Sequence, residues 1–366
     1  MSDAIRERLR PELAALHAYE TPAAPARIRV DGNESPWALP AEARARIAEA
    51  MASIALHRYP DPRCTALRAA LSGYVGAKPD ELVIGVGSDE VISILETAIA
   101  RPREGRAHAV VMHPDPSFSM YGIIGRGHGH AVVKVPLDER WDLDADVWSR
   151  AIGEHRPSLI FLPSPNNPTS NRFDERVVRR IVEQAHDALV VLDDAYVEFS
   201  SGTISHALFE QHDNVAVLGT LSKIGLAALR VGWVRVKPWL AHELEKVRLT
   251  YNIPTPSQEI ATLALGPLMP ILREQIALVR AERSKLIAGL DAIPGIAVDP
   301  SDSNFALVRV GSRAVEIAAR MHAAGVQVRT FAGHPRLAER VRITVGTPEE
   351  NHIVLAALAD AMRGAA

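Results

Sequence analysis

The stretch Leu189-Val190-Val191-Leu192-Asp193-Asp194-Ala195-Tyr196 decides how the chain folds. Four consecutive apolar residues predict a strand buried on both faces, as in a parallel sheet covered by helices. An acid at the end of such a strand is costly to bury unless something cationic pairs with it, so Asp193 reads either as a ligand-holding group or as the cap of the next helix. The same theme repeats on both sides. Glu81–Val86, Ala107–Met112, Ala131–Val135, Leu159–Leu162 and Val215–Leu218 are further short apolar runs, and Ser88–Ala100 and Asp174–Asp187 carry helical periodicity between them. Alternating strands and helices imply an α/β sheet with right-handed crossovers.

The flanks read differently. Residues 40–76 are helical with a break at Tyr59-Pro60-Asp61-Pro62. Beyond the Pro254 and Pro256 joint, a helix is expected over Leu268–Leu290. Strands over Phe305–Val310 and Val341–Val345 then bracket a helix over Arg313–Ala324, an α+β pattern.

The chain has 366 residues, enough for about two domains. Hydrophobic residues make up 47% and charged residues 23%, so a sizeable core is available. Lysine plus arginine is 41 against 44 acids, a net charge of −3, which gives no reason to expect nucleic acid or an anionic membrane as partner. One cysteine, Cys64, excludes an intrachain disulfide and a thiolate zinc cluster; it reads as a small helix residue. Met1–Arg10 lacks an apolar region of the signal-peptide kind, and no apolar run approaches the ~18 residues of a membrane helix, so a cytoplasmic protein is expected.

In open α/β sheets, ligands lie at the carboxyl ends of the strands, and four loops there are unusual. Gly85-Val86-Gly87-Ser88-Asp89-Glu90 follows a strand and opens a helix, so its amides suit a phosphate. It also resembles the start of a dinucleotide fingerprint, but Glu90 stands where the third glycine belongs; a nicotinamide oxidoreductase is thus a rival reading. Pro163-Ser164-Pro165-Asn166-Asn167-Pro168-Thr169 is a rigid turn presenting amides. Asp193-Asp194-Ala195-Tyr196 is the third loop. Thr220-Leu221-Ser222-Lys223-Ile224-Gly225 is the fourth: Lys223 lies among apolar and small residues up to Arg230, expected to face inward with a lowered pKa suited to Schiff-base chemistry. A Ser-Lys hydrolase dyad is disfavoured because adjacent side chains diverge. An acid for a pyridinium nitrogen, amides, hydroxyls and an arginine for a phosphate, and a Schiff-base lysine are together the set that pyridoxal 5′-phosphate (PLP) needs.

These loops, with Asp31-Gly32-Asn33-Glu34-Ser35-Pro36, Arg58-Tyr59-Pro60-Asp61-Pro62, Pro116-Ser117-Phe118-Ser119-Met120-Tyr121 and Arg342-Ile343-Thr344-Val345-Gly346-Thr347, resemble the PLP-dependent enzymes of the aspartate-aminotransferase fold. Within that fold they resemble the histidinol-phosphate aminotransferases, over nearly the whole chain. The resemblance implies an α/β PLP-dependent transferase fold: an arm over 1–24, a large domain with a mostly parallel sheet over 46–254, and a small α+β domain from 25–45 and 255–366.

The resemblance also implies the site. Lys223 is the Schiff-base lysine and proton carrier, Asp193 pairs with the pyridine nitrogen, Asn167 and Tyr196 hold the ring oxygen, and Phe118 stacks on the ring. Amides of Ser88 and Asp89, with Thr220, Ser222 and Arg230, hold the cofactor phosphate, which Tyr59 reaches from the partner of a homodimer. Arg342 binds a substrate carboxylate, and Tyr19 and Arg329 contact the substrate side chain or its phosphate. The implied reaction is transamination between histidinol phosphate and 2-oxoglutarate, giving imidazole-acetol phosphate and glutamate. Aromatic transamination and decarboxylation of a phosphorylated amino acid are alternatives on the same fold. Ser170 replaces a usual glycine, Asp194 a usual glutamate, and the seven-residue step from Lys223 to Arg230 is short. Gly127-His128-Gly129-His130 reads as a flexible turn without a metal, and Arg172, Arg176, Arg179 and Arg180 as a solvated face.

Overall fold

The computed structural model describes residues 3–9 and 26–364. Its elements run α1 (Asp3–Arg6), β1 (Ile28–Arg29), α2 (Ala41–Ala52), α3 (Thr65–Val75), β2 (Leu82–Val86), α4 (Gly87–Ala98), β3 (Val110–Asp115), α5 (Met120–Gly127), β4 (Ala131–Pro136), α6 (Ala145–His155), β5 (Leu159–Pro163), α7 (Glu175–Gln184) and β6 (Leu189–Asp193). They continue α8 (Ser205–Gln211), β7 (Val215–Thr220), β8 (Val231–Arg235), α9 (Pro238–Val247), α10 (Thr255–Leu265), α11 (Met269–Asp291), β9 (Ala297–Val298), β10 (Phe305–Arg309), α12 (Ala314–Ala323), β11 (Val326–Gln327), β12 (Arg329–Thr330), β13 (Arg340–Thr344) and α13 (Pro348–Arg363).

Seven strands form one sheet in the order β2-β8-β7-β6-β5-β3-β4. Strands β3 to β7 pair in parallel, and β8 runs antiparallel between β7 and β2. Alternation along each strand sends Ile160, Leu162, Val190 and Leu192 into one core, with Trp148 of α6 and Val178 of α7. Leu159, Phe161, Val191 and Leu218 enter the other core, with Ile92 and Leu95 of α4. Each such side chain, fully buried, contributes about 1.5–3 kcal/mol. This explains why the central strands read as unbroken apolar runs.

A third core joins α3, α10, α11, α12 and α13 to the four-stranded antiparallel sheet β12-β13-β10-β9. Between them, β1 pairs in parallel with β11.

One expectation needs correction, and two elements, α10 and β8, were not expected. The strand expected over Ala107–Met112 lies three residues later, because its ladder with β4 runs from Val110 to Asp115. The helix expected over Leu268–Leu290 is α11; α10 precedes it, and the two are bent by 77° because Gly266 and Pro267 interrupt the hydrogen-bond ladder. Among the described residues no single helix is long and apolar enough to cross a membrane.

Candidate active site

The site forms where β5, β6 and β7 end and α4 begins. Asp193 closes β6 opposite Pro163 of β5, and Thr220 closes β7 opposite Gly232 of β8. Gly232 brings β8 against the first turn of α4: a Cβ there would lie 2.5 Å from the Gly87 carbonyl carbon and 2.6 Å from the Ser88 nitrogen. Gly87 itself has φ +73°, and a Cβ on it would meet the Arg230 guanidinium at 2.5 Å. The amides of Ser88 and Asp89 therefore open onto a cradle that a side chain would fill.

The remaining walls are polar. The Ser222 amide donates to Thr220 Oγ1 at 3.1 Å, and the two hydroxyls lie 2.9 Å apart. Two short 3-10 turns, Ser222–Ile224 and Ala227–Leu229, take up the seven-residue step after Lys223. Arg230 then turns back through φ +52°, placing Nη1 3.5 Å from Ser222 Oγ and Nη2 3.6 Å from the Asp89 carboxylate. A helix N-terminus, two hydroxyls and a guanidinium suit a phosphate dianion.

Beside the cradle, Asp193 is buried. Its Oδ1 accepts from the Ala195 amide at 2.9 Å and its Oδ2 from the Tyr121 hydroxyl at 2.6 Å. Burial dominates and pushes this carboxyl up, while those two hydrogen bonds and the Lys223 ammonium oppose the shift. The helix-cap alternative for Asp193 reduces to the single Ala195 contact. Half-buried Lys223 places Nζ 5.6 Å from the Tyr196 ring centroid. Tyr196 Oη accepts from Asn33 Nδ2 at 2.9 Å, and Asn167 Oδ1 accepts from Arg342 Nη1 at 2.6 Å. Phe118 packs edge-on against Tyr121, with ring centroids 5.5 Å apart.

Arg329 and Arg342 are direct cross-strand partners on β12 and β13, so both side chains leave the same face of the small sheet. Tyr59 stands apart, 81% exposed and stacked on Tyr251 at 4.7 Å. Tyr19 lies outside the described residues.

Tyr121 and Asn33 carry no role in the sequence reading, although both stand in quoted motifs; their contacts span 72 and 163 residues of chain. Glu90 settles the nicotinamide alternative. Its Oε2 accepts from the Val86 amide at 2.5 Å and from Asn252 Nδ2 at 2.8 Å, filling the turn where a dinucleotide site needs a bare glycine. Ser170, in a glycine's usual place, takes φ +68° and donates through Oγ to the Thr169 and Pro300 carbonyls. Asp194 is buried, accepts from Ser205 Oγ at 2.8 Å and Thr203 Oγ1 at 3.2 Å, and is pushed up to about 7 by burial. The turn after α5 is held rather than loose: His128 Nε2 meets Ser93 Oγ at 2.9 Å, and buried His130 meets the Glu96 carbonyl at 2.9 Å. No metal-holding cluster occurs among the described residues. Cys64 is buried ahead of α3, and burial pushes its thiol up to about 11, where it stays protonated and unreactive.

Residues 28–358 match the aminotransferase class I and II family. The chain belongs to the class I and II aminotransferases. This aminotransferase is 39% identical over 354 residues to a histidinol-phosphate aminotransferase of Methylibium petroleiphilum, covering 96% of this chain and 93% of the relative. It is also 39% identical over 357 residues to histidinol-phosphate aminotransferase 1 of Burkholderia lata, covering 97% and 98%. Among solved structures it superposes on the histidinol-phosphate aminotransferase of Sinorhizobium meliloti, a complex with PLP, with a TM-score of 0.86 at 26% identity over 98% of both chains.

Proposed function

We propose that this aminotransferase moves the amino group of histidinol phosphate to 2-oxoglutarate, giving imidazole-acetol phosphate and glutamate, with PLP as cofactor. The observation that carries the reading is the 39% identity, over nearly the full length, to histidinol-phosphate aminotransferases. The cradle, the buried carboxylate and the half-buried lysine fit the cofactor's three functional parts.

When bound, PLP carries the amino group between the two substrates and withdraws electrons from the substrate Cα. The chain's residues do the rest. Lys223 binds the cofactor aldehyde and, once released, its amine moves the proton at the substrate Cα. Asp193 holds a proton on the pyridine nitrogen. Asn167 and Tyr196 hydrogen-bond the ring oxygen, and Phe118 covers the ring face and excludes water. Ser88 and Asp89 amides, Thr220, Ser222 and Arg230 bind the phosphate. Arg342 binds a carboxylate of glutamate or 2-oxoglutarate, and Arg329 with Tyr19 takes the phosphate of histidinol phosphate.

The same reading makes the enzyme a cytoplasmic homodimer in which Tyr59 reaches the partner's cofactor phosphate. It divides each chain into an arm (1–24), a cofactor domain (46–254) and a smaller substrate-facing domain (25–45 with 255–366).

An amino-donor panel tests the reaction. Histidinol phosphate should convert the bound cofactor to its aminated form, seen as loss of the yellow absorption band, faster than phenylalanine, tyrosine or histidinol. Release of carbon dioxide from a phosphorylated amino acid, with no such conversion by histidinol phosphate, would overturn it.

A further inference from the structure

Tyr121 is fully buried in the first turn of α5, and none of the roles above uses it. Its ring stacks on Phe161 of β5, with centroids 4.6 Å apart and planes 8° from parallel. That stack fixes the ring to the sheet beside β6, and the hydroxyl ends 2.6 Å from Asp193 Oδ2. Burial and the neighbouring Asp193 charge push the phenol far above its ordinary range, so it stays protonated and acts as a donor. The other carboxylate oxygen is held by the Ala195 amide. Two donors thus fix the plane of the carboxyl group and favour its charged form, against a burial that favours the neutral one.

We infer that Tyr121 is a positioning residue that keeps the Asp193 carboxylate ionised and oriented, and thereby keeps the proton on the cofactor's pyridine nitrogen. The inference rests on the PLP reading above. The other charged or titratable groups around the pair are Lys223 and Asp89, Tyr196, and Asp194 next in the chain. His113 of β3 has its ring 5.9 Å from that of Tyr121; burial lowers its pKa, and Nδ1 is engaged by the Pro114 carbonyl at 2.7 Å. None of them donates a hydrogen bond to Oδ2, so the phenol has no substitute there among the described residues. Without it, Asp193 gains proton affinity and competes with the ring nitrogen, which weakens the ring's pull on electrons and makes the lysine–cofactor linkage more basic.

The test uses Tyr121→Phe holoenzyme, which keeps the stack on Phe161 and removes only the donor. The pH at which the bound cofactor's absorption band converts should rise by roughly half a unit or more. In an Asp193→Asn background, where no carboxylate competes, Tyr121→Phe should add no further rise. A midpoint equal to that of the parent enzyme, or the same rise in both backgrounds, overturns the inference. Should Tyr121→Phe not fold, 3-fluorotyrosine placed at position 121 gives a stronger donor and should lower the midpoint; no movement overturns it equally. Failure of the parent enzyme to bind PLP at all would instead overturn the cofactor reading, so the two failures are distinguishable.

Discussion

Arg342 Nη1 donates to Asn167 Oδ1 at 2.6 Å, and the same guanidinium also donates to the Asp31 carbonyl. One side chain on β13 of the small sheet thus ties the turn after β5 of the large sheet to the segment after β1. A guanidinium can serve these two acceptors and still offer donors to a substrate carboxylate; an ammonium cannot match that fork. Arg342→Lys should therefore lower kcat/KM for glutamate by about 10- to 100-fold, corresponding to ~1.5–3 kcal/mol for a charged hydrogen bond. Adding Asn167→Ala to Arg342→Lys should cost less than it does in the parent enzyme, because the pair is coupled. Additive losses in the glutamate half-reaction would contradict the coupling.

Lys223→Ala should keep the cofactor's phosphate and ring contacts and lose both the covalent link and the proton carrier. Turnover should fall by about 10³-fold or more, the range of general acid–base catalysis. Borohydride treatment of the parent holoenzyme should fix the cofactor on Lys223, located by peptide mass mapping. Label on any other lysine would refute the assignment.

Glu96 gives the protein a pH-dependent stability. It is fully buried in α4, neither carboxyl oxygen has a hydrogen-bond partner among the described residues, and burial pushes it up to about 9. In the unfolded chain it titrates near ~4.3, so between about pH 4 and 9 the folded state holds a proton that the unfolded state releases. Stability therefore falls as pH rises through that window, by on the order of a few kcal/mol. Asp194, raised to about 7, adds to the fall only at its lower end. Glu96→Gln should flatten the profile above pH 7 and exceed the parent's Tm at pH 9. Parallel Tm-against-pH curves by calorimetry would remove Glu96 as the cause.

The central strands and the loops after them were legible because both faces of each strand are buried and the chemistry-bearing residues follow directly. Pro163, Asp193 and Thr220 end β5, β6 and β7, one or two residues beyond the apolar runs that predict these strands. Strand β8 was not legible: Val231-Gly232-Trp233-Val234-Arg235 carries two residues shaped by its neighbours. Gly232 is small because the Gly87 turn lies on it, and Arg235 is buried because Glu81 pairs with it at 2.8 Å. Tyr121 and Asn33 escaped for a related reason. Their partners, Asp193 and Tyr196, are brought to them only by the folded sheet order, and no local period encodes that.

Arg329 should discriminate between phosphorylated and unphosphorylated donors. It stands opposite Arg342 on the same sheet face, and a guanidinium offers bidentate donors to a dianion. Arg329→Ala should lower kcat/KM for histidinol phosphate by about 10- to 100-fold while changing that for phenylalanine or tyrosine much less. Equal losses on both classes would place phosphate recognition elsewhere, with Tyr19 and Arg342 the remaining candidates.

Tyr59 should complete the partner's site. It stands in the Pro-locked segment Tyr59-Pro60-Asp61-Pro62 and is 81% exposed, although its ring stacks on Tyr251 at 4.7 Å and 18°. Leu56 and Leu249, close to the two tyrosines in sequence, are also exposed, at 82% and 71%. A tyrosine serving only its own subunit's core would not leave most of its surface in water, whereas a phenol held rigidly outward can donate one hydrogen bond, worth ~1.5–3 kcal/mol, to a phosphate on a second copy. Subunit mixing separates the two cases. Lys223→Ala chains are combined with Tyr59→Ala chains and allowed to exchange. If Tyr59 acts across the dimer, each hybrid has one site with both defects and one fully intact site, so activity per Lys223-bearing site rises to the parent enzyme's value. If Tyr59 acts within its own chain, every site keeps one defect and the value stays at that of the Tyr59→Ala homodimer. Hybrids isolated by differential tags and showing no parent-like sites would rule out the shared site while leaving the aminotransferase assignment intact.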